Sequence, residues 1–211
     1  MKLLVVLFAF VAFTGFGQDA KSQAVLDKLS TKMKGMKTFY IEFSATIKNS
    51  SSGTNENETG KGWVKNNKFY AAYGDNTIIS NGIKTWSVVR DEKSVYESDA
   101  SDKDEQSLNP KKLMTIWETG FKNKYDKEDK INNEAVHIIN LFPKNPSKVD
   151  YHTITLYISK VSNELKKAVM RSKDGSTMVY LLTKFQENPA IDDSKFVFDL
   201  KKFPGYSVIK D

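Results

Sequence analysis

The fold is decided by residues 60–89, which read GKGWVKNNKFYAAYGDNTIISNGIKTWSVV. This stretch predicts four short strands separated by three tight turns, of which Asn81-Gly82 is the sharpest. Asn-Gly between two β-rich runs favours a type I′ hairpin, because that turn needs two residues at positive φ. An antiparallel meander of this length cannot close a core by itself. The rest of the chain must therefore extend the sheet or cover one of its faces.

Alternation of side chains assigns two faces to this meander. Trp63 lies between Lys61 and Lys65 on one face, which the lysines mark as the solvent side. The opposite face points inward and carries Val64, Asn66, Phe69, Ala71 and Tyr73.

Further strands flank the meander on both sides. Before it, residues 38–48 alternate with Phe39, Ile41 and Phe43 on the apolar face, and residues 49–59 form a polar stretch that we expect to be a mobile loop. After it, residues 151–158 place Ile154, Leu156 and Ile158 on one face. Residues 195–200 and 206–209 are predicted to finish the sheet. Without any βαβ alternation, the chain predicts a mainly β fold, a curled antiparallel sheet of about eleven strands.

Two amphipathic helices are the only covers that the sequence predicts for this sheet. The first spans residues 19–34 and is stopped by Gly35. The second begins at Asn109-Pro110, with Asn as the N-cap and Pro in the first helical position, and is ended by Gly120. Their apolar stripes predict a lid made by Leu29, Met33, Leu113, Met114 and Trp117.

Composition limits where the protein works. Residues 1–17 have a basic start, an apolar run and small residues before Gly17, which is typical of a secretory signal peptide cleaved near Gly17. Residues 18–211 are then one exported domain, which for a bacterial signal means the periplasm. The chain has no cysteine, so disulfides and a lipid-modified cysteine anchor are excluded. The formal net charge of +6 is spread among acidic residues, which argues against nucleic acid as a partner.

Catalytic and metal-binding motifs are missing from the sequence. His137 and His152 each lie in a predicted strand, away from the other histidine, and no phosphate-binding loop, dinucleotide fingerprint or HExxH motif occurs. We therefore expect a protein that is not an enzyme and that needs no metal and no cofactor.

Large apolar residues are numerous for so thin an architecture. Phe39, Phe43, Phe69 and Trp86 are examples from the first half of the chain. They fit a packed core between sheet and helices, which any such fold needs. They also fit a cavity for an apolar ligand, with methionines of the helices as an adaptable lid. The residues alone leave both interpretations open.

Five motifs, in order, resemble those of the LolA family of periplasmic outer-membrane lipoprotein carriers. An amphipathic helix leads into a Phe-containing strand (residues 29–47), and a glycine opens a strand that leads to an aromatic one (residues 60–73). An Asn-Gly hairpin ending in Trp and a helix started by Pro follow (IISNGIKTW, residues 78–86, and NPKKLMTIWETGF, residues 109–121). An F-x-F signature with Pro-Gly ends the series (KFVFDLKKFPGYSVI, residues 195–209).

The resemblance implies a half-closed, open antiparallel β-barrel with a helical lid over a hydrophobic concave face. It implies that the cavity takes up lipoprotein acyl chains from an inner-membrane ABC lipoprotein exporter and delivers them to an outer-membrane lipoprotein acceptor, where one is present. We expect a monomer. The predicted cavity residues are Phe39, Ile41, Phe43, Val64, Phe69, Ala71, Tyr73, Trp86, Ile154, Leu156 and Ile158.

One position departs from the family pattern. The family often carries Arg-Pro after the strand that matches residues 62–65, and that arginine is implied to latch the lid. Asn66-Asn67 stands at this place here, so Asn66 is the lid-latch position. An asparagine can donate a hydrogen bond to a lid carbonyl, but it cannot make a charge-assisted one.

Two other functions remain open at this stage. Related folds act as envelope sensors or interaction modules, and a carrier of another amphiphile, such as a glycolipid or a lipid precursor, would use the same architecture. A second domain or a membrane anchor would mark a sensor, and bound lipid would identify the other carrier.

Overall fold

A computed structural model describes residues 19–100 and 115–210. Twelve strands form one sheet that does not close on itself, with the order β12-β6-β5-β4-β3-β2-β1-β11-β10-β9-β8-β7. The expected fold class, an open barrel-like antiparallel sheet with a helix over it, is confirmed, with twelve strands in place of about eleven. The leader at residues 1–17 and most of the expected second helix, including Leu113 and Met114, lie outside the described residues.

Helix α1 and the first six strands occupy the N-terminal part of the chain. Their bounds are α1 Ala20–Gly35, β1 Thr38–Asn49, β2 Thr54–Lys65, β3 Lys68–Tyr73, β4 Asn76–Ser80, β5 Lys84–Val89 and β6 Ser94–Asp99. The other six strands are β7 Phe121–Ile131, β8 Glu134–Pro143, β9 Tyr151–Ser159, β10 Leu165–Ser172, β11 Thr177–Glu187 and β12 Ser207–Lys210. Short 3₁₀ turns occur at Ile116–Glu118, Pro146–Lys148, Asp193–Phe196 and Leu200–Lys202.

The sheet consists of two antiparallel meanders, β1–β6 and β7–β11, which meet where β1 pairs with β11. The register runs from Phe39 opposite Glu187 to Lys48 opposite Thr177 and shifts once, between Glu42 and Phe43. Strand β12 returns to pair with β6, and this is the one parallel pair of the sheet as described. The edges are β12 and β7, so the barrel remains open between them.

Three local predictions were wrong. The Asn81-Gly82 turn has positive φ only at Gly82, so it is not a type I′ turn. The Asn81 Oδ1 accepts hydrogen bonds from the backbone N–H groups of Ile83 and Lys84, which makes it an Asx turn. Most of residues 49–59 is strand, because β2 continues its pairing with β1 as far as Thr54. Residues 195–200 form no strand, since the chain there makes 3₁₀ turns capped by Asp192 and Asp199.

Helix α1 starts and packs as its sequence predicts. The Asp19 side chain caps it by accepting from the backbone N–H groups of Lys21 and Ser22. Its buried residues recur at helical spacing and comprise Ser22, Val25, Leu26, Leu29 and Met33. The helix therefore lays one continuous apolar stripe on the sheet. Among the described residues, no helix is long and apolar enough to cross a membrane.

Both faces of the sheet carry buried side chains. We call the face beneath α1 the concave face and the opposite one the convex face. On the convex face of the first meander Val88 pairs with Val95, and both are buried. Trp86 stacks on Phe198 of the C-terminal segment, with ring centroids 5.4 Å apart. The segment after β11 thus covers the convex face, as α1 covers the concave one.

Gly60 makes room for an aromatic ring on the concave face. It pairs with both Phe43 and Tyr73, whose rings stack at 6.0 Å between centroids. A Cβ at Gly60 would lie 2.2 Å from the Phe43 ring. The Phe43 ring therefore lies flat on the glycine, where any larger residue would displace it.

We expect Gly60→Ala to lower the free energy of unfolding by about 1–3 kcal/mol, since overpacking displaces a fitted side chain. Urea denaturation measures this change. Gly35→Ala is the control, because a Cβ at Gly35 meets no atom within 4 Å. The same Gly60→Ala change in a Phe43→Ala background should cost much less. An equal cost in both backgrounds would show that the ring contact is not responsible.

Candidate functional site: the concave face beneath helix α1

The concave face holds one apolar cluster that unites most of the residues predicted for the cavity and the lid. Its members among the predicted residues are Leu29, Met33, Phe39, Ile41, Val64, Phe69, Trp117, Ile154, Leu156 and Ile158. Phe43 is half-buried and packs against this cluster. Ala71 and Tyr73 share the face through their pairing, with Ala71 opposite Gly62 and Tyr73 opposite Gly60. The structure thus brings together residues that are more than a hundred positions apart in sequence.

Trp86 does not lie on this face, and its placement in the cavity was wrong. It pairs with Ile79, whereas the concave side of that hairpin is formed by Ile78 and Ser87. Its indole Nε1 donates to Glu97 at 3.1 Å. The size of Trp86 suggested a place on the concave face. The C-terminal segment covers the convex face, however, and Trp86 is partly buried there against Phe198.

Sequence reasoning missed part of the cluster. Ile139 and Leu141 of β8 are completely buried in it. Leu26 of α1 and Leu165 of β10 also belong to it, and their side chains are at most 5% exposed. The alternation of His137, Ile139 and Leu141 was the available signal, since it matches the pattern of the neighbouring strand β9.

A cavity of about 560 Å³ opens beside this cluster, at the C-terminal end of α1. The buried residues Met33, Phe39 and Val64 line it, together with the half-buried Met36 and the exposed turn residue Asn66. Its lining is mainly apolar and includes Lys37 of the α1–β1 connection. The volume falls within the range of pockets that hold small apolar ligands.

Asn66 lies at the rim of this cavity and is exposed. Its φ of 55° is left-handed, and its backbone N–H donates to the Lys37 carbonyl at 2.9 Å. The β2–β3 turn is thereby attached to the segment that joins α1 to β1. A latching role for the Asn66 side chain stays a prediction.

The N-terminal end of α1 is held by polar contacts with β7. Asp19 Oδ2 accepts from the Tyr125 backbone N–H at 2.9 Å, and this bond is the main reason why the pKa of the Asp19 carboxyl lies below its usual value. The Ser22 hydroxyl bonds to the Asn123 side chain, whose amide in turn donates to Gln23 at 2.8 Å. These bonds satisfy two buried polar side chains and fix the start of the helix.

The C-terminal half of α1 is fastened by an ion-pair cluster in addition to the burial of Leu29 and Met33. Lys32 Nζ pairs with Glu164, at 3.1 Å, and with Glu187, and it donates to the Ser162 carbonyl at 2.9 Å. Burial alone would lower the pKa of Lys32, but the bonds to both glutamates outweigh it and raise the pKa. One residue of the helix thus ties it to the β9–β10 turn and to the end of β11.

Trp117 adds an apolar cover beside the helix. Its side chain is buried, and its indole Nε1 donates to the Ser30 hydroxyl at 2.8 Å. Close by, Lys34 pairs with Glu118 at 2.9 Å. The one described part of the second lid element therefore contacts α1, as the lid prediction requires.

The described residues contain no group of three or more histidine, cysteine, aspartate or glutamate side chains arranged to hold a metal ion. His137 lies on the concave face, with its Nδ1 2.9 Å from the Tyr125 hydroxyl. Burial, followed by the charge of Lys160, lowers the pKa of His137 below its usual value. The concave face is therefore suited to apolar contact. The polar contacts described above lie at the two ends of α1.

Lys32→Met should lower the free energy of unfolding by about 1 kcal/mol, the upper end for partly exposed ion pairs. It should also speed amide hydrogen exchange in the last turn of α1, because it removes the ion pairs that fasten this turn. Methionine keeps the apolar stem of the side chain, so only the charge is lost. Lys28→Met, on the exposed side of the same helix, is the control. Equal exchange rates in the two variants would contradict the anchoring role of Lys32.

Glu164 should make the fold sensitive to acid. Burial alone would raise its pKa, but hydrogen bonds from Lys166 and Lys32 outweigh it, so the pKa lies below the ordinary value of 4.5. The stabilisation is therefore complete above pH 4.5 and is lost as the pH falls through the lower, folded-state pKa. In urea titrations from about pH 6 to about pH 3, Glu164→Gln should lose less stability than the wild type. Glu56→Gln, at an exposed carboxylate, should behave as the wild type.

Comparisons with solved structures place this fold among known ones. An uncharacterized conserved protein from Thermus thermophilus superposes with a TM-score of 0.56 at 10% identity, covering 90% of this chain and 99% of that one. A DUF1329 family protein from Desulfovibrio piger gives a TM-score of 0.48 at 11% identity, with coverage of 89% and 100%. The LolA superfamily protein NE2245 from Nitrosomonas europaea gives 0.43 at 12%, with coverage of 83% and 97%.

Sequence comparison is more specific. No protein of curated function matches the chain. Residues 34–199 match the family model described as outer membrane lipoprotein carrier protein LolA. This match spans most of the chain, from the end of α1 to the C-terminal segment, and it confirms the resemblance seen in the five sequence motifs. The chain belongs to the LolA family.

Proposed function

We propose that this protein is a periplasmic, non-enzymatic carrier that binds lipoprotein acyl chains between α1 and the concave face. It takes them from an inner-membrane ABC lipoprotein exporter and delivers them to an outer-membrane acceptor. The observation that carries the proposal is the apolar cluster beneath α1, which continues into a cavity of about 560 Å³ at the C-terminal end of the helix. Family membership supports it.

The energetics of the site fit a carrier. Each buried methylene group of an acyl chain gains about 0.8 kcal/mol relative to water, so a lipid-modified protein needs a shield to cross an aqueous compartment. Aliphatic, methionine and aromatic side chains provide such a shield without directional contacts, which suits cargo whose chains vary in length. Release then needs only the exposure of the same surface to another apolar one.

Helix α1 has to move for this function. Leu29, Leu156 and Ile158 are all at most 1% exposed, so chains entering at the cavity must take the place of the C-terminal half of α1. That half is held by the burial of Leu29 and Met33 and by polar contacts. An entering acyl chain would replace the apolar contacts, and the ion pairs and the indole hydrogen bond are individually weak. The contacts of Asp19 and Ser22 with β7 would keep the N-terminal end attached as a hinge.

The proposal is tested with the protein purified from a lipid-containing source. Mass spectrometry should detect bound lipoprotein or acyl lipid, and the protein should release a lipoprotein from inner-membrane vesicles. A protein that is always empty and releases nothing would overturn the proposal. Bound glycolipid without lipoprotein would identify a carrier of another amphiphile instead.

Val64→Glu should reduce acyl-chain binding by about tenfold or more, since it puts an unpaired carboxylate into the apolar cavity. Val161→Glu is the matched control: the substitution is identical, but Val161 is 82% exposed in the β9–β10 turn. Binding of a fluorescent fatty acid measures the difference. Met36→Glu repeats the test at a half-buried lining residue, where the fold tolerates a charge better. Wild-type binding in both lining variants would show that the chains bind elsewhere.

A further inference from the structure

A second cavity, of about 570 Å³, lies on the other side of the sheet. It lies between the convex face of β1–β4 and the C-terminal segment, residues 189–203, and is open to solvent on one side. Its floor and walls include Tyr40, Ile79 and Phe203. The sheet separates it from the cavity beneath α1, so the proposed carrier function does not use it.

Lys195 is one of four charged residues that line this convex cavity, with Asp192, Asp199 and Lys202. Its ammonium nitrogen lies 3.8 Å from the centroid of the Trp63 ring and 4.2 Å from that of Tyr70. The side chain is half-buried and forms no ion pair with any carboxylate of the described residues. Burial lowers its pKa, and the nearby charges of Lys61 and Lys202 lower it further. The Lys195 ammonium therefore has no carboxylate partner among the described residues, although Asp192 and Asp199 also line the cavity.

The carboxylates around the cavity have other partners. Asp192 accepts from the Ser194 backbone N–H at 2.8 Å, and Asp199 accepts from the Lys201 backbone N–H at 3.0 Å. Asp193 pairs with Lys65 and Lys68 on the β2–β3 hairpin. These acids shape the two 3₁₀ turns of the segment and do not pair with Lys195.

One wall of the cavity is aromatic, and the rest of its lining is largely polar. The Tyr40 and Trp63 rings contact each other with centroids 4.6 Å apart, and Ile79, which pairs with Tyr70 on the same face, is 4% exposed. The Tyr40 hydroxyl donates to Glu42, and burial together with that carboxylate raises the pKa of Tyr40 to about 12, so the phenol stays neutral. Its volume falls within the range of small-molecule sites, and the rings of its aromatic wall offer a flat surface for an apolar body.

We propose that the convex cavity binds a small organic anion with a flat apolar body. The acidic head pairs with the Lys195 ammonium, which Trp63 and Tyr70 hold in place, and the body packs against Tyr40, Ile79 and Phe203. The bound anion joins the C-terminal segment to the sheet, so its binding stabilises the segment in its place over the convex face.

Isothermal titration calorimetry of the full protein with 2-naphthoate tests the proposal, with 2-naphthamide as the neutral ligand of the same shape. The wild type and Lys195→Arg should bind naphthoate, and Lys195→Met should bind it at least tenfold more weakly. Lys167→Met is the matched control, because Lys167 also lies over a ring, that of Tyr157, at 4.8 Å, and does not line this cavity. Its affinity should equal that of the wild type.

Indole N–H signals in two-dimensional NMR locate the ligand. Trp63 lies at the convex cavity and Trp117 in the cluster beneath α1, so naphthoate should shift the Trp63 signal and leave that of Trp117 in place. This readout works on the wild type, whatever the stability of the variants. A shift of Trp117 alone, equal affinity for naphthamide, unchanged binding in Lys195→Met, or no binding at all would each overturn the proposal. Lys195 would then serve only to fasten the C-terminal segment.

Discussion

The contact on which this structure depends is the apolar stripe of helix α1 against the concave face of the sheet. Leu26 and Leu29 are almost completely removed from water there. Each such side chain contributes about 1.5–3 kcal/mol on burial. Because the attraction is apolar and lacks direction, another apolar partner can replace the helix at little cost. The concave face beneath α1 therefore has the apolar surface that a lipid needs.

An open sheet that buries side chains on both faces needs two covers, and this chain provides them with different chemistry. The concave cover is a helix with an apolar stripe, tied at its ends by polar contacts. The convex cover is irregular and is held by stacked rings, from Trp86 through Phe198 to Phe203. Stacked rings and capped 3₁₀ turns have defined geometry, so this cover is the more specific of the two. The small anion proposed for the convex cavity would therefore meet a cover of defined geometry.

Local patterns predicted the strands and α1 well, because alternation and helical spacing report directly which side chains are buried. Phe39, Val64 and Leu156 were placed on the correct face for that reason. Trp86 was not, since its hydrophobicity says that it is buried but not on which face, and the face depends on its pairing with Ile79. The C-terminal segment was taken for a strand because its caps, Asp192 and Asp199, gave a weaker signal than its phenylalanines. The ion pairs that anchor α1 could not be predicted, because they join residues far apart in sequence, such as Lys32 and Glu187.

The pairing of β1 with β11 also sets the order in which the molecule can fold. Each meander closes through short turns and can form from local contacts, whereas β1 meets its partner only after all the residues up to Glu187 are available. Contacts of such long range are slow to form, because most of the chain must be ordered first. Until then the apolar face of β1 is exposed and prone to wrong association. A chain of this design therefore gains from any factor that shields its first strand during folding, before the site proposed for acyl chains exists.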